Sequence, residues 1–203
     1  GLGNSGATRA SLWCQQRVRA VCTDRNKANV LAERLVKAER VSRYKSGKYT
    51  IERPLHLGAT LAETRIADQL LPALSKYGLP LGEAFQLRDD LLGVFGDPSQ
   101  TGKPSGDDLR EGTRTALIAV ALQKANTSQQ KIITDNLGDP GLTPSMISDL
   151  QQVITETGAT SHIELMIEEL TNTSLTALNH DGISQDGKQY LTELAVLATN
   201  RKI

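Results

Sequence analysis

FQLRDDLLGVFGDPSQTGKPSGDDLREGTRT, residues 85–115, is an acidic helical stretch that runs into a Gly/Pro-rich loop carrying one lysine and then meets a second acidic helix start. At about 100° per residue, Gln86, Asp89, Asp90, Gly93 and Asp97 share one stripe. Phe85, Leu87, Leu91, Leu92, Val94 and Phe95 cover most of the remaining circumference. A helix apolar over so much of its surface is buried, so its polar stripe is expected to face an internal cavity. Buried carboxylates are costly without cations. Hard divalent cations take oxygen ligands and complete their shell with substrate phosphates. A solvated acidic face is the other reading of the same pattern, and periodicity alone leaves both open. Arg88 fits neither, since it projects among the apolar positions; snorkelling or a pair across a helix contact would accommodate it.

Working outward, the 203 residues predict one all-α domain over 1–203, long enough for a sizeable core. Aromatics are only 3% of the chain, which suits helix packing by Leu and Ala better than a β-sandwich core. Helices are predicted over 5–21, 28–46, 48–63, 66–77, 81–96, 107–125, 127–136, 143–157, 159–179 and 186–201. Breaks are predicted at Gly78-Leu79-Pro80, at 97–106 and at Gly138–Thr143. Thr143-Pro144 reads as an N-cap followed by proline at the first helical position, and Ser161 as another cap. Segments 66–96 and 107–125 are expected to be neighbours, with the 97–106 loop as a lid.

Twenty-three basic and twenty-three acidic residues cancel, which argues against a nucleic-acid or polybasic membrane footprint. No apolar run approaches membrane-spanning length. Cys14 and Cys22 stand too far apart on a helix for a disulfide, and two reduced cysteines fit a cytoplasmic protein. His56, His162 and His180 are scattered, and no cluster suggests zinc.

The 85–115 stretch resembles the second aspartate-rich region of trans-isoprenyl diphosphate synthases, the polyprenyl synthetase family. Upstream, RYKSGKYTIERPLHLGA is similar to the family's Lys-Thr helix, and YGLPLGEAFQLRDD to the helix that follows. The wording is most like actinobacterial geranylgeranyl diphosphate synthases. The resemblance implies an isoprenoid-synthase-type helical bundle around a central cavity. It also implies Mg2+-dependent condensation of isopentenyl diphosphate with an allylic diphosphate, in a homodimer.

Carried over by resemblance, Asp89 would ligate Mg2+, and Asp90 would sit in or beside that shell. Asp97 and Asp108 would stand behind them. Gln86 would orient substrate, Lys45 would contact the diphosphate, and Ser46 would keep the hydroxyl of the family's threonine. Lys103 would close over the diphosphate. The resemblance thus makes Lys45, Gln86 and Lys103 the catalytic set, with Ser46 and Arg114 as further substrate-binding residues.

The chain departs from the family pattern in several places. Gly93 stands where a third aspartate is common, and Asp97, a turn further on, is the expected partial substitute. Thr113 stands where lysine is common; Arg114 is adjacent, but one residue of offset turns it about 100° around a helix. The family's first aspartate-rich motif and its isopentenyl diphosphate site are not in this sequence, whose adjacent Asp pairs are 89–90 and 107–108. The chain is therefore expected to be the C-terminal portion of such a fold, lacking the N-terminal helices, and inactive alone. Residues 22–40 carry no Gly-Gln-x-x-Asp signature. Two alternatives remain at this point: a non-catalytic family member that modulates a partner subunit, and a terpene cyclase on the same fold.

Overall fold

A computed structural model describes residues 43–201, apart from residues 63 and 103. The expected helix 5–21, most of 28–46, both cysteines and the segment upstream of Lys45 through which a homodimer is expected to pair lie outside the described residues. Every described element is helical. A π-helical segment, Arg43–Glu52, leads into α1 (Arg53–Ala62) and the long α2 (Thr64–Phe95). Short α3 (Pro98–Thr101) and α4 (Asp107–Glu111) follow, then α5 (Ala116–Lys124), α6 (Thr127–Asn136), α7 (Pro144–Glu156), α8 (Ala159–Ala177) and α9 (Gln185–Thr199).

The predicted break at Gly78–Pro80 is absent. α2 runs unbroken for 32 residues, about 48 Å, with Pro72 and Pro80 inside it. Each proline removes one i→i−4 hydrogen bond, yet packing keeps the helix continuous. A β-carbon on Gly82 would sit 2.2 Å from the Cα of Gly47, and one on Gly78 would sit 3.2 Å from the Cα of Glu52. These glycines let the backbone of the π-helical segment lie directly against α2. They serve close approach, not chain reversal.

Other boundaries move for local reasons. The expected start of a helix at 48 falls inside the π-helical segment. The expected 107–125 helix divides at Gly112, which adopts φ 69°, and resumes where Thr115 accepts from the amide of Ile118. The expected 97–106 loop contains α3. Ser161 is not a cap: α8 opens after Gly158 at φ 72°. The Thr143-Pro144 start is found as read, with the Thr143 hydroxyl accepting from the Met146 amide.

α2 and α8 run antiparallel, because Arg88 meets Glu164 early in α8 while Tyr77 and Leu81 pack with Leu178 at its far end. One apolar cluster joins the second half of α2 to α5, α7 and α8 through Leu87, Leu91, Val120, Ile154 and Ile163. A second joins its middle to α9 through Tyr77, Leu81, Ala195 and Ala198. The Tyr77 hydroxyl donates to the Leu191 carbonyl at 2.6 Å, and burial raises its pKa. α5 is buried from Ala116 to Ala121, as an all-round apolar helix should be.

Candidate functional site

The site is built at the C-terminal end of α2, where its polar stripe meets the π-helical segment on one side and the start of α5 on the other. The buried Ser46 hydroxyl donates to Oε1 of Gln86 at 2.7 Å. Nε2 of Gln86 donates to Oδ1 of Asp90 at 3.0 Å, and Oδ2 of Asp90 accepts from the amide of Ala116 at 3.3 Å. This relay ties three elements together. It ends on the first-turn amide of α5, the positive end of that helix, which favours an anion.

Asp90 is only 5% exposed. Burial lifts its pKa to about 6; the bonds from Gln86 and Ala116 oppose that rise, while the carboxylates of Asp108 and Asp89 add to it. Asp108 reaches the group because it packs over Gly93: a β-carbon on residue 93 would sit 2.2 Å from its Oδ2. Asp89 is half-buried and pairs with Arg201. The carboxylates of Asp89 and Asp108 thus both bear on Asp90 at one end of α2.

A cation among them would relieve that repulsion, so the donor chemistry fits a hard divalent metal. Among the described residues no group of three acidic, histidine or cysteine side chains could hold a metal by itself.

The remaining expected residues are placed as follows. Lys45 is exposed on the π-helical segment beside Ser46, and Thr113 and Arg114 are exposed in the turn before α5. Lys103 lies outside the described residues. Asp97 is corrected. α2 ends at Phe95, so Asp97 leaves the stripe and caps α3 instead, its carboxylate accepting from the Ser99 amide at 2.8 Å. That amide and the Ser99 hydroxyl hold its pKa below the usual carboxylate value. Gly93 is faced by Asp108, not by Asp97.

Arg88 pairs across a helix contact. It is buried, bonds both carboxylate oxygens of Glu164 at 2.6 and 2.7 Å, and donates through Nε to the Thr199 carbonyl at 2.7 Å. Neighbouring Arg88 and Asp89 therefore both fasten the end of α9. Sequence reading missed Arg201, Glu164 and the Ala116 amide. The contacts to Arg201 and Glu164 span 112 and 76 residues, and no local periodicity reports them.

A pocket of about 640 Å³ opens elsewhere, between the first half of α2 and the end of α8, beside Arg43, Ala73, Lys76, Thr173 and His180. It lies roughly 20 Å along α2 from Asp89, at about 1.5 Å per residue. Asp89, Asp90 and Asp108 are not among its lining residues.

The polyprenyl synthetase family model matches residues 20–157. The chain belongs to the polyprenyl synthetase family. It is similar to the geranylgeranyl diphosphate synthase of Saccharolobus solfataricus, with 42% identity over 72 residues, 36% of this chain and 22% of that one. It is 30% identical to the geranylgeranyl diphosphate synthase of Mycobacterium tuberculosis over 122 residues, 60% of this chain and 34% of that one. The crystal structure of geranylgeranyl pyrophosphate synthase from Corynebacterium glutamicum, complexed with isoprenyl diphosphate and magnesium, superposes with a TM-score of 0.77 at 37% identity. That match covers 97% of this chain and 58% of the Corynebacterium one. The chain thus spans well under two thirds of the relatives it matches. The all-α isoprenoid-synthase fold and the likeness to actinobacterial geranylgeranyl diphosphate synthases are as the sequence led us to expect.

Proposed function

We propose that these residues form the diphosphate-gripping side of a trans-prenyltransferase active site. The enzyme condenses isopentenyl diphosphate with an allylic diphosphate and releases a longer prenyl diphosphate, geranylgeranyl diphosphate in the reading we favour. The observation that carries this is the Ser46–Gln86–Asp90–Ala116 relay, which fixes Asp90 between three elements beside Asp89 and Asp108. The Corynebacterium relative, described with isoprenyl diphosphate and magnesium, supports it.

Asp89, with Asp90 and Asp108 beside it, would hold magnesium. When bound, magnesium offsets the negative charge that builds on the diphosphate as the allylic C–O bond breaks. The chain's own part is preorganisation. Gln86 and the Ala116 amide fix Asp90 before substrate arrives, so little reorganisation is left for the reaction itself. Lys45, and Lys103 by resemblance, would grip phosphate oxygens. Arg114, one residue past Thr113, would contribute a more distant cation. Apolar helix faces would keep water from the allylic cation.

We further propose a homodimer located in the cytoplasm. No described helix is long and apolar enough to cross a membrane.

The test is product analysis. The complete gene product is incubated with isopentenyl and farnesyl diphosphates and Mg2+, and the prenyl chains are separated by length. A twenty-carbon product is expected. No elongation of any allylic primer would overturn the reading and favour a non-catalytic family member, the alternative that the exposed Thr113 in place of lysine keeps in view.

A further inference from the structure

Arg201 pairs with the carboxylate that would hold the proposed metal. Its guanidinium pairs with Oδ1 of Asp89 and lies over the ring of Phe85, 4.5 Å from the centroid. Phe85 and Asp89 are four residues apart on α2, so ring and carboxylate lie on one helix face and form a two-sided socket. The chain is delivered there by its neighbour: Arg88 holds the Thr199 carbonyl, two residues before Arg201.

Two features mark this contact as exchangeable. Nε of Arg201 is buried with no hydrogen-bond partner among the described residues, so the guanidinium is incompletely satisfied. Both side chains also remain more than a third exposed, at 39% and 36%, and ion pairs that open to water are weak. The nearby Arg88–Glu164 pair differs on the first count, since that guanidinium uses Nε and both terminal nitrogens.

We propose that Arg201 is an intramolecular competitor for the divalent cation at Asp89. This rests on the reading of Asp89 as a metal-holding carboxylate. Arg201 takes Oδ1 of Asp89 and leaves Oδ2, and a metal on Oδ2 would lie beside a like charge. Metal loading is therefore opposed while the end of α9 holds Asp89. Apparent metal affinity is reduced by the fraction of molecules in which Asp89 is free. Arg201 thus sets the metal concentration at which the site fills, although it lies outside every motif of the aspartate-rich region.

The test uses Mn2+ together with inorganic diphosphate as the probe, since phosphate oxygens complete the metal's shell, and follows protein-bound Mn2+ by water-proton relaxation. The full 203-residue chain is compared with Arg201→Met, Phe85→Leu and Asp89→Asn, each checked for folding by thermal melting. Arg201→Met is expected to tighten Mn2+ binding by about five-fold, the equivalent of about 1 kcal/mol. Phe85→Leu, which removes the ring under the guanidinium, should tighten it by less, and carries the test if Arg201→Met does not fold. Asp89→Asn should weaken it. A loss of packing alone would not tighten metal binding. If Mn2+ binding depends on Asp89 but neither Arg201→Met nor Phe85→Leu changes it, competition is overturned and the metal reading stands. If neither the wild type nor Arg201→Met shows Asp89-dependent binding, both are overturned.

Discussion

The carboxylate of Asp108 lies over Gly93, its Oδ2 only 2.2 Å from where a β-carbon on residue 93 would be. Read from sequence, Gly93 looks like a ligand lost from the aspartate-rich pattern. In the structure it is the floor on which a carboxylate from α4 rests, and Asp108 is near enough to act on Asp90. The two positions are therefore coupled: a side chain at 93 and Asp108 in its present place exclude one another.

Gly93→Ala should accordingly push Asp108 off α2. Overpacking of this kind costs about 1–3 kcal/mol, which outweighs the gain of about 1 kcal/mol from replacing glycine in a helix. Urea unfolding would read it. A variant as stable as wild type would mean that Asp108 moves aside freely.

Ser46→Ala removes the donor to Gln86 and leaves a poorly solvated acceptor, a cost of about 1–2 kcal/mol. Because Gln86 also holds Asp90, kcat of the complete gene product should fall while Ser46→Thr, which keeps the hydroxyl, retains more activity. Equal activity in the alanine and threonine variants would show that the relay positions nothing.

Glycine positions should rank by what surrounds them. Gly82→Ala drives a methyl group into the Gly47 backbone and should cost about 3 kcal/mol. Gly58 in α1 has nothing within 4 Å of its would-be β-carbon, so Gly58→Ala should stabilise by about 0.5–1 kcal/mol. Chemical denaturation of the pair checks the order; similar effects at both sites would contradict the packing of the π-helical segment on α2.

Arg88→Ala should loosen α9 specifically. It leaves Glu164 without its bidentate partner and the buried Thr199 carbonyl without its donor, and an unsatisfied buried acceptor costs about 1–3 kcal/mol. Amide hydrogen exchange across 185–199 should accelerate more than across α5. Uniform acceleration would show that the pair holds the whole fold and not this helix.

Much of this was legible in the sequence because it is periodic. The Leu87, Leu91 and Val94 spacing gave a buried helix, and the Gln86–Asp90 stripe on its other side is where the relay runs. Glycine and proline misled where packing overrides local preference: Gly78-Leu79-Pro80 signals a turn in isolation, and only the approach of Glu52 to Gly78 shows why a helix keeps that glycine. Asp97 misled because the stripe was extended past Phe95, where α2 stops. Arg201 was invisible because its role depends on a contact 112 residues away.

The central claim is that Asp89 holds the cation that activates the diphosphate. It is tested most directly by steady-state prenyl transfer with the complete gene product and its Asp89→Ala variant, at saturating isopentenyl and allylic diphosphates and across a Mg2+ titration. Removing a group that stabilises transition-state charge should lower kcat by about 10²–10³-fold, with no recovery at high Mg2+. Near-normal turnover of Asp89→Ala at saturating Mg2+ would contradict it.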